Sequence, residues 1–378
     1  MFLSVPVFSL VALLSLLLWV IITLLPWFPW LTRESWDVES HSINKSVDLS
    51  DITVLIPARN EASVIGTTLQ AIAAQNGSPK VVLIDDNSDD DTKDIATSID
   101  ELNIEVIENQ PLKKGWSGKL WALENGRKHV ETPYTLLLDA DIKIQPGVIS
   151  GLKQKLLNSE YSFVSLMAKP SLSGFWERLL MPAFIYFFKL LYPFRIANSE
   201  SRLISAAAGG CILLRTAILE DIGGFNALKE TLIDDCTLAK KTKEAGYNTW
   251  LGLTHSVESI RPYGGLKEIW NMVARTAYTQ LHYSISLLLL CTLLMILAYI
   301  VPLIALLSFS TPVVWYGLTA LFLMAITYLP TLRYYGLPLV YLLSMPLVGA
   351  LFLAMTWTSA IRYWKGERMR WRGRVVTE

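Results

Sequence analysis

Hydrophobic and polar positions follow two different rhythms along this chain. Residues 5–25 form an unbroken apolar run of about 20 residues, long enough to cross a hydrocarbon core about 30 Å thick. The same rhythm returns over 285–307, 313–329 and 337–357, where Pro302, Pro338 and Pro346 sit at positions that membrane helices tolerate. Residues 51–262 behave differently. Short apolar runs at 52–57, 80–84, 104–107 and 134–138 read as strands, the first buried on both faces. Stretches at 62–75, from 91 onward and at 119–130 read as helices; in the first, Val64, Ile65, Leu69, Ile72 and Ala73 recur at helical spacing. Strand and helix alternate, which predicts an α/β domain built on a mainly parallel sheet.

Charge sharpens this division. Residues 1–32, 276–332 and 334–361 contain no Asp, Glu, Lys or Arg. Over the whole chain 17% of residues are charged and 52% hydrophobic, against about 25% charged in a soluble protein; a purely soluble, disordered or collagen-like chain is excluded. Residues 1–32 lack the basic start and short core of a signal peptide, and Trp27 and Trp30 follow as interfacial anchors, so a retained anchor is expected. Residues 33–50 read as a linker and 284–361 as membrane segments. The tail, 362–378, carries Arg362, Lys365, Arg368, Arg370, Arg372 and Arg374 against Glu367 and Glu378, which by the positive-inside rule places it in the cytoplasm. With a cytoplasmic central domain, three further crossings put the tail outside. Either one segment is re-entrant or interfacial, or the tail breaks the rule.

Two further stretches mix apolar and charged residues. Glu177, Arg178 and Lys189 within 175–194 argue for a helix lying in the membrane interface, and 263–283, with Trp270, Arg275 and Tyr278, for a second interfacial helix. A net charge of zero gives no sign of a nucleic-acid partner. Cys211, Cys236 and Cys291 lie far apart, which speaks against a disulfide framework or a zinc knuckle.

In parallel sheets the ligand crevice lies outside the carboxyl ends of the strands. Three expected strands end there in polar clusters: Pro57-Ala58-Arg59-Asn60-Glu61, Asp85-Asp86-Asn87-Ser88 and Asp139-Ala140-Asp141. Two carboxylates two residues apart repel unless a cation lies near them, and a hard divalent ion, Mg²⁺ or Mn²⁺, suits oxygen ligands and substrate phosphates. A fourth cluster, Asp234-Asp235, precedes a helix running to Ala245 with Gly246 as terminator. One aspartate there can cap the helix, or serve as a base taking a proton from a hydroxyl.

The segments PARNEA, LIDDNSDDDT, GWSGKLWAL, LLLDADI, AAGGCILLRTAIL and LIDDCTLAKK, in this order and spacing, resemble the family 2 glycosyltransferases with a GT-A fold. More closely, the chain resembles the membrane-bound, hopanoid-associated HpnB group, and more distantly the ceramide glucosyltransferases. The resemblance implies a Rossmann-like GT-A domain over 51–262 between N-terminal and C-terminal transmembrane helices. It implies inverting, metal-dependent transfer of a hexose from a nucleotide-sugar donor, a UDP-sugar, to a hydroxyl of a membrane lipid, hopanoid or sphingolipid-like, with the domain facing the cytoplasm at a bacterial inner membrane. Carried over by position, Pro57, Arg59, Glu61, Asp86, Lys119 and Asp139 are expected on the donor, Asp139 and Asp141 on the metal, and Asp235 as general base. Gly209, Gly210 and Asp234 are expected on the acceptor side.

One motif departs from the family. The Q/RxxRW sequence of processive synthases is Met272-Val273-Ala274-Arg275-Thr276 here. Arg275 is retained as an expected diphosphate contact, since a guanidinium suits phosphate oxygens; the missing tryptophan and the three C-terminal segments weigh against a processive polysaccharide synthase. A non-catalytic membrane scaffold is the other alternative. Four acids kept at converging positions, Asp86, Asp139, Asp141 and Asp235, weigh against it.

Overall fold

A computed structural model of the chain describes residues 5–38, 48–75, 77–229, 231, 233–367, 370–371 and 374–375. Part of the linker (39–47) and, in the basic tail, Arg368 and Arg372 lie outside the described residues. The chain divides into two compact units. One comprises Met1–Arg33, Leu172–Pro193 and Tyr263–Glu367, and the other Glu34–Ser171, Phe194–Pro262 and Arg368–Glu378. The span 51–262, read above as one continuous domain, is therefore interrupted at Leu172–Pro193, which groups with the terminal helices.

The second unit is built on eight strands: β1 (Ile52–Ala58), β2 (Lys80–Asp85), β3 (Ile104–Glu108), β4 (Tyr134–Leu138), β5 (Ile142–Ile144), β6 (Tyr161–Lys169), β7 (Cys211–Arg215) and β8 (Asn248–Ser259). Their order across the sheet is β3-β2-β1-β4-β7-β6-β8-β5. The first four run parallel, as does β6 beside β8, while β7 and β5 lie antiparallel to their neighbours. β1 is buried along its whole length, as its continuous apolar run requires. Because strand side chains alternate in direction, Val54, Ile56, Val81 and Leu83 enter one core and Leu55, Val82, Ile84 and Leu137 the other. The registers pair Ala58 with Asp85 and Asp85 with Glu108, so the acidic loops leave from one edge of the sheet.

The first unit is helical. Val7–Leu24, Ile285–Ala305, Thr311–Tyr334 and Leu339–Trp364 are each long and apolar enough to cross a membrane. The second of these changes pitch: a π-turn at Ile296–Ile300 interrupts it, and Val301 donates back to the Ile296 carbonyl. Pro302 has no N–H to offer the carbonyls behind it. The N-terminal helix supplies the missing donors, Ser15 Oγ to Leu297 O at 2.7 Å and Trp19 Nε1 to Ala298 O at 2.8 Å. This is how a proline-broken helix is re-satisfied where water is scarce.

The helix Phe175–Leu191, whose charges argue for an interfacial position, lies packed within this unit. Its Glu177 is buried and accepts from Ser173 Oγ (2.7 Å), Gly174 N–H (2.7 Å) and Tyr263 N–H (2.6 Å). Lys189 is also buried, its ammonium donating to the Leu31 carbonyl. Tyr186 bonds Thr327 at 3.0 Å. Two charges that periodicity alone sends to a surface are here absorbed, Glu177 by local groups and Tyr263 N–H and Lys189 by the Leu31 carbonyl.

Trp19→Phe removes one donor from a carbonyl that Pro302 leaves unpaired. It is expected to cost about 1–3 kcal/mol in thermal or denaturant unfolding of the detergent-solubilised chain. Adding Pro302→Ala, which restores an N–H on the same helix, is expected to recover part of that loss; no recovery would show that packing alone holds Trp19.

Candidate active site

The turn after β4 is fixed from several sides. Asp139 N–H donates to Gly210 O (3.1 Å), Ile142 N–H to Asp139 O (3.1 Å), Ile260 N–H to Asp141 O (2.9 Å) and Thr68 Oγ1 to Ala140 O (2.8 Å). Its two carboxylates therefore emerge from a rigid base. Facing them is the helix Gly118–Arg127, which starts at Ser117, whose hydroxyl accepts from Leu120 N–H at 3.3 Å. Trp116 and Trp121 pack edge-on behind it with ring centres 5.1 Å apart. Lys119, in the first turn, places Nζ 2.7 Å from the Asp139 carboxylate and 4.0 Å from that of Asp234.

Asp234 and Asp235 form the first turn of the helix Asp234–Glu244, the end at which negative charge is favoured. Asp235 accepts from Gly209 N–H (3.0 Å) and Cys236 N–H (2.8 Å). A Cβ on Gly209 would stand 3.5 Å from Lys119 Nζ and 3.6 Å from Asp235 Oδ2, in ordinary contact with both, so Gly209 lies against the two groups. Together these groups line a small cavity that opens to solvent, whose walls beyond Pro57, Lys119, Asp139, Gly209, Asp234 and Asp235 are leucine, isoleucine and phenylalanine.

Electrostatics follow from this enclosure. Desolvation pushes the Asp235 carboxyl up, and the Asp234 charge adds to it, to about 7, against the pull of the Cys236 and Gly209 N–H groups and the Lys119 ammonium. Desolvation works against the Lys119 charge, but Asp139 and Asp234 outweigh it and hold the ammonium above the ordinary lysine range.

The other expected site residues have different surroundings. Asp86 is buried at the end of β2 and accepts from Asn109 Nδ2 at 2.8 Å. Arg59 braces the turn beyond it, donating to the carbonyls of Asp86 and Asn87 and facing Asp89 at 3.4 Å. Asp85 holds the same turn through Ser88. Glu61 and Asp141 share one guanidinium, that of Arg261, whose Nε lies 3.0 Å from Asp141. Gly210 backs onto Ile142, where a Cβ would approach to 3.1 Å. Arg275 is exposed on the helix Leu266–Gln280 of the other unit.

Arg261 escaped sequence reasoning because β8 was not recognised as a strand. Once β8 is known, the signal is plain, a charged residue just past a strand end and directly before Pro262. Among the described residues no three His, Cys, Asp or Glu side chains form a ready-made metal cage. Asp139 and Asp141 nevertheless offer hard oxygen donors, the set that Mg²⁺ or Mn²⁺ takes when substrate phosphates complete its shell. The residues present fit such an ion.

With this geometry in hand, comparison with known proteins is specific. The family model described as glycosyl transferase family 2 matches residues 53–223. Over 128 residues it is 30% identical to 4,4'-diaponeurosporenoate glycosyltransferase of Staphylococcus aureus, covering 33% of this chain and 34% of that protein. The chain thus matches about a third of the length of these curated relatives. Among solved structures, a mannosyltransferase of Pyrobaculum calidifontis in complex with GDP-Man and Mn²⁺ superimposes with a TM-score of 0.55 at 16% identity, over 96% of this chain and 100% of that one. Glucosyl-3-phosphoglycerate synthase of Mycobacterium tuberculosis, with Mn²⁺, UDP and phosphoglyceric acid, gives a TM-score of 0.42 at 16% identity, over 61% of this chain and 78% of that one. The fold is GT-A-like.

The raised Asp235 value has a consequence for stability. Because about 7 in the folded chain exceeds the ordinary aspartate value near 4, the contribution of this group is fully present below about pH 4 and is lost as pH rises through 7. Lys119→Met removes the counter-charge and steepens that loss. In thermal melts, the variant's deficit against the parent is expected to be larger at pH 8 than at pH 5; an equal deficit at both would show that Lys119 does not offset the acids.

Proposed function

We propose that this chain is an inverting, divalent-cation-dependent glycosyltransferase of hexosyltransferase type. In this reading it moves a sugar from a nucleotide-sugar donor, a UDP-sugar, to a hydroxyl of a membrane lipid of hopanoid or sphingolipid-like kind. The observation that carries it is the convergence of Lys119, Asp139, Asp234 and Asp235 on one cavity, with Asp235 poised near neutrality. A carboxyl of that strength is ionised often enough at neutral pH to act, and basic enough to take a hydroxyl proton.

The charge balance explains the need for an added cation. The cavity sets three carboxylates against one ammonium. An anionic diphosphate entering such a site meets like charge unless a cation comes with it. Asp139 and Asp141 would hold that ion, which when bound offsets the charge gathering on the departing diphosphate. Lys119 keeps Asp139 and Asp234 in place. The acceptor oxygen bonds to the anomeric carbon as the bond to diphosphate breaks, and its proton passes to the Asp235 carboxylate. No side chain forms a covalent intermediate.

A lipid acceptor is supported by the four helices among the described residues that are apolar enough to cross a membrane, and by the name of the staphylococcal relative, which points to a lipid-like acceptor for that protein. An active site facing the cytoplasm of a bacterial inner membrane, where sugar nucleotides are available, completes the reading. Glu61 and Arg59 keep their proposed roles around the donor, with Pro57 lining the cavity.

Asp235→Asn is expected to lower transfer of labelled sugar to extracted lipid by at least a thousandfold while leaving donor affinity within threefold. Equal loss of both would defeat the assignment of the base. Transfer by the parent chain is expected to rise with pH through about 7 as Asp235 ionises. Chelation of divalent ions should abolish donor binding, read by calorimetry without any turnover; undiminished binding in excess chelator would refute cation dependence.

A further inference from the structure

The segment 199–209 brings the Gly209 N–H to Asp235, yet it runs in irregular conformation between the short helix Phe194–Ala197 and β7. It passes inward from exposed residues at 199, 200, 202 and 203 to the buried Ala206 and Ala207, and reaches the cavity at Gly209. An irregular segment has no ladder of its own for its backbone groups, so side chains outside it must satisfy them and set its path.

Two buried side chains do this. Lys243, on the helix Asp234–Glu244, donates to the carbonyls of Ser199 (2.9 Å), Ser201 (2.9 Å) and Ile204 (3.2 Å). An ammonium has three N–H donors, and here all three go to main-chain oxygens of one segment. From the sheet, Ser165 on β6 accepts from Ala208 N–H at 2.8 Å and donates to Ala208 O at 3.0 Å. Between these two ties, Cys236 Sγ lies 3.6 Å from Ala207 O. Cys236 and Lys243 stand two turns apart on one face of the helix. Segment and helix are thus joined along those two turns, and the join ends at the 3.0 Å bond from Gly209 N–H to Asp235. Burying a lysine is costly unless its charge is hydrogen-bonded; what this one adds is a fixed course for the chain that leads to Asp235.

We infer that Lys243 and Ser165 are positioning residues, which fix the segment 199–209 so that the Gly209 N–H stays on the Asp235 carboxylate. The inference rests on the reading of Asp235 as the base of the proposed transfer. Around Asp235, desolvation and the Asp234 charge oppose ionisation, while the Cys236 N–H, the Lys119 ammonium and the Gly209 N–H favour it. Asp139, on the same cavity, pairs with Lys119. If the segment slips, one bond that favours the carboxylate is lost, and Asp235 ionises only at higher pH.

Lys243→Met and Ser165→Ala are compared with the parent by two measurements on the full chain in detergent. One is kcat/KM against pH, with a panel of labelled UDP-hexoses as donors and lipid extracted from membranes as acceptor. The other is hydrogen exchange in peptides spanning 199–209, read by mass spectrometry. In each variant the rise of kcat/KM with pH is expected to move upward by about one pH unit, the worth of one hydrogen bond to a charged group. Exchange over 199–209 is expected to quicken about tenfold while β1 to β4 exchange as in the parent. Ser165→Ala changes no charge, so a shift confined to Lys243→Met would reduce to the removal of a positive charge and overturns the inference. A loss of rate equal at every pH, or a shift with exchange over 199–209 unchanged, overturns it as well. Lys243→Gln, which keeps two donors, decides by the same two readings if the methionine variant does not fold. A parent that transfers none of the hexoses, or whose rate does not rise with pH, overturns the functional reading itself. That failure is distinct from a rising parent profile that the variants leave in place.

Discussion

The contact between Lys119 and the carboxylates of Asp139 and Asp234 holds the site together. It joins three elements that are far apart in sequence: the exit of β4 and the first turns of two helices. A lysine in a first turn stands at the positive end of its own helix, where a cation is disfavoured. The aspartates opposite compensate for that placement, and Lys119 in turn lets them stand close to one another. Neither half is stable in this form without the other. A surface ion pair contributes little to stability, but this one decides where the charge of a pocket lies.

Similar logic governs the helical unit. There the scarce resource is the backbone donor, since Pro302 has no N–H to give the carbonyls one turn behind it. Ser15 and Trp19 meet that need from the N-terminal helix, so an apparently featureless apolar run carries two positional requirements. Glu177 and Lys189 lie buried for the same reason, each meeting backbone groups. In both units, some of the polar groups brought inside are paired by residues that lie far away along the chain.

That distance explains what the sequence made legible and what it hid. The strands β1 to β4 announce themselves through continuous apolar runs, and β4 begins and ends at the residues expected from its pattern. The acid pairs at strand and helix ends were visible because function-bearing polarity at the edge of a buried strand has few structural explanations. The burial of Glu177 and Lys189 was not visible, because two of the three charged residues of Phe175–Leu191 read as surface until their partners are known. Arg261 was missed on similar grounds: a single arginine has no periodicity, and its meaning lies in the carboxylates it faces. Of the acids in the turn after β2, Asp85 makes local bonds that shape the loop, so an acid-rich string overstated the chemistry available there.

The two aspartates that open the helix Asp234–Glu244 illustrate how neighbours of identical chemistry separate into different roles. Asp234 keeps nearly a third of its side-chain surface exposed and looks toward Lys119 at 4.0 Å. Asp235 turns the other way, toward Gly209 and the helix backbone, and takes two N–H bonds. Those bonds favour the charged form while desolvation and the Asp234 charge oppose it, and the opposition wins by enough to bring the group near neutrality. A carboxylate stabilised more strongly would be too weak a base to draw a proton from a hydroxyl, and one desolvated further would remain protonated at neutral pH. Asp234 therefore acts on Asp235 as well as on Lys119: its negative charge raises the basicity of its neighbour, while the lysine it faces limits how far that rise goes.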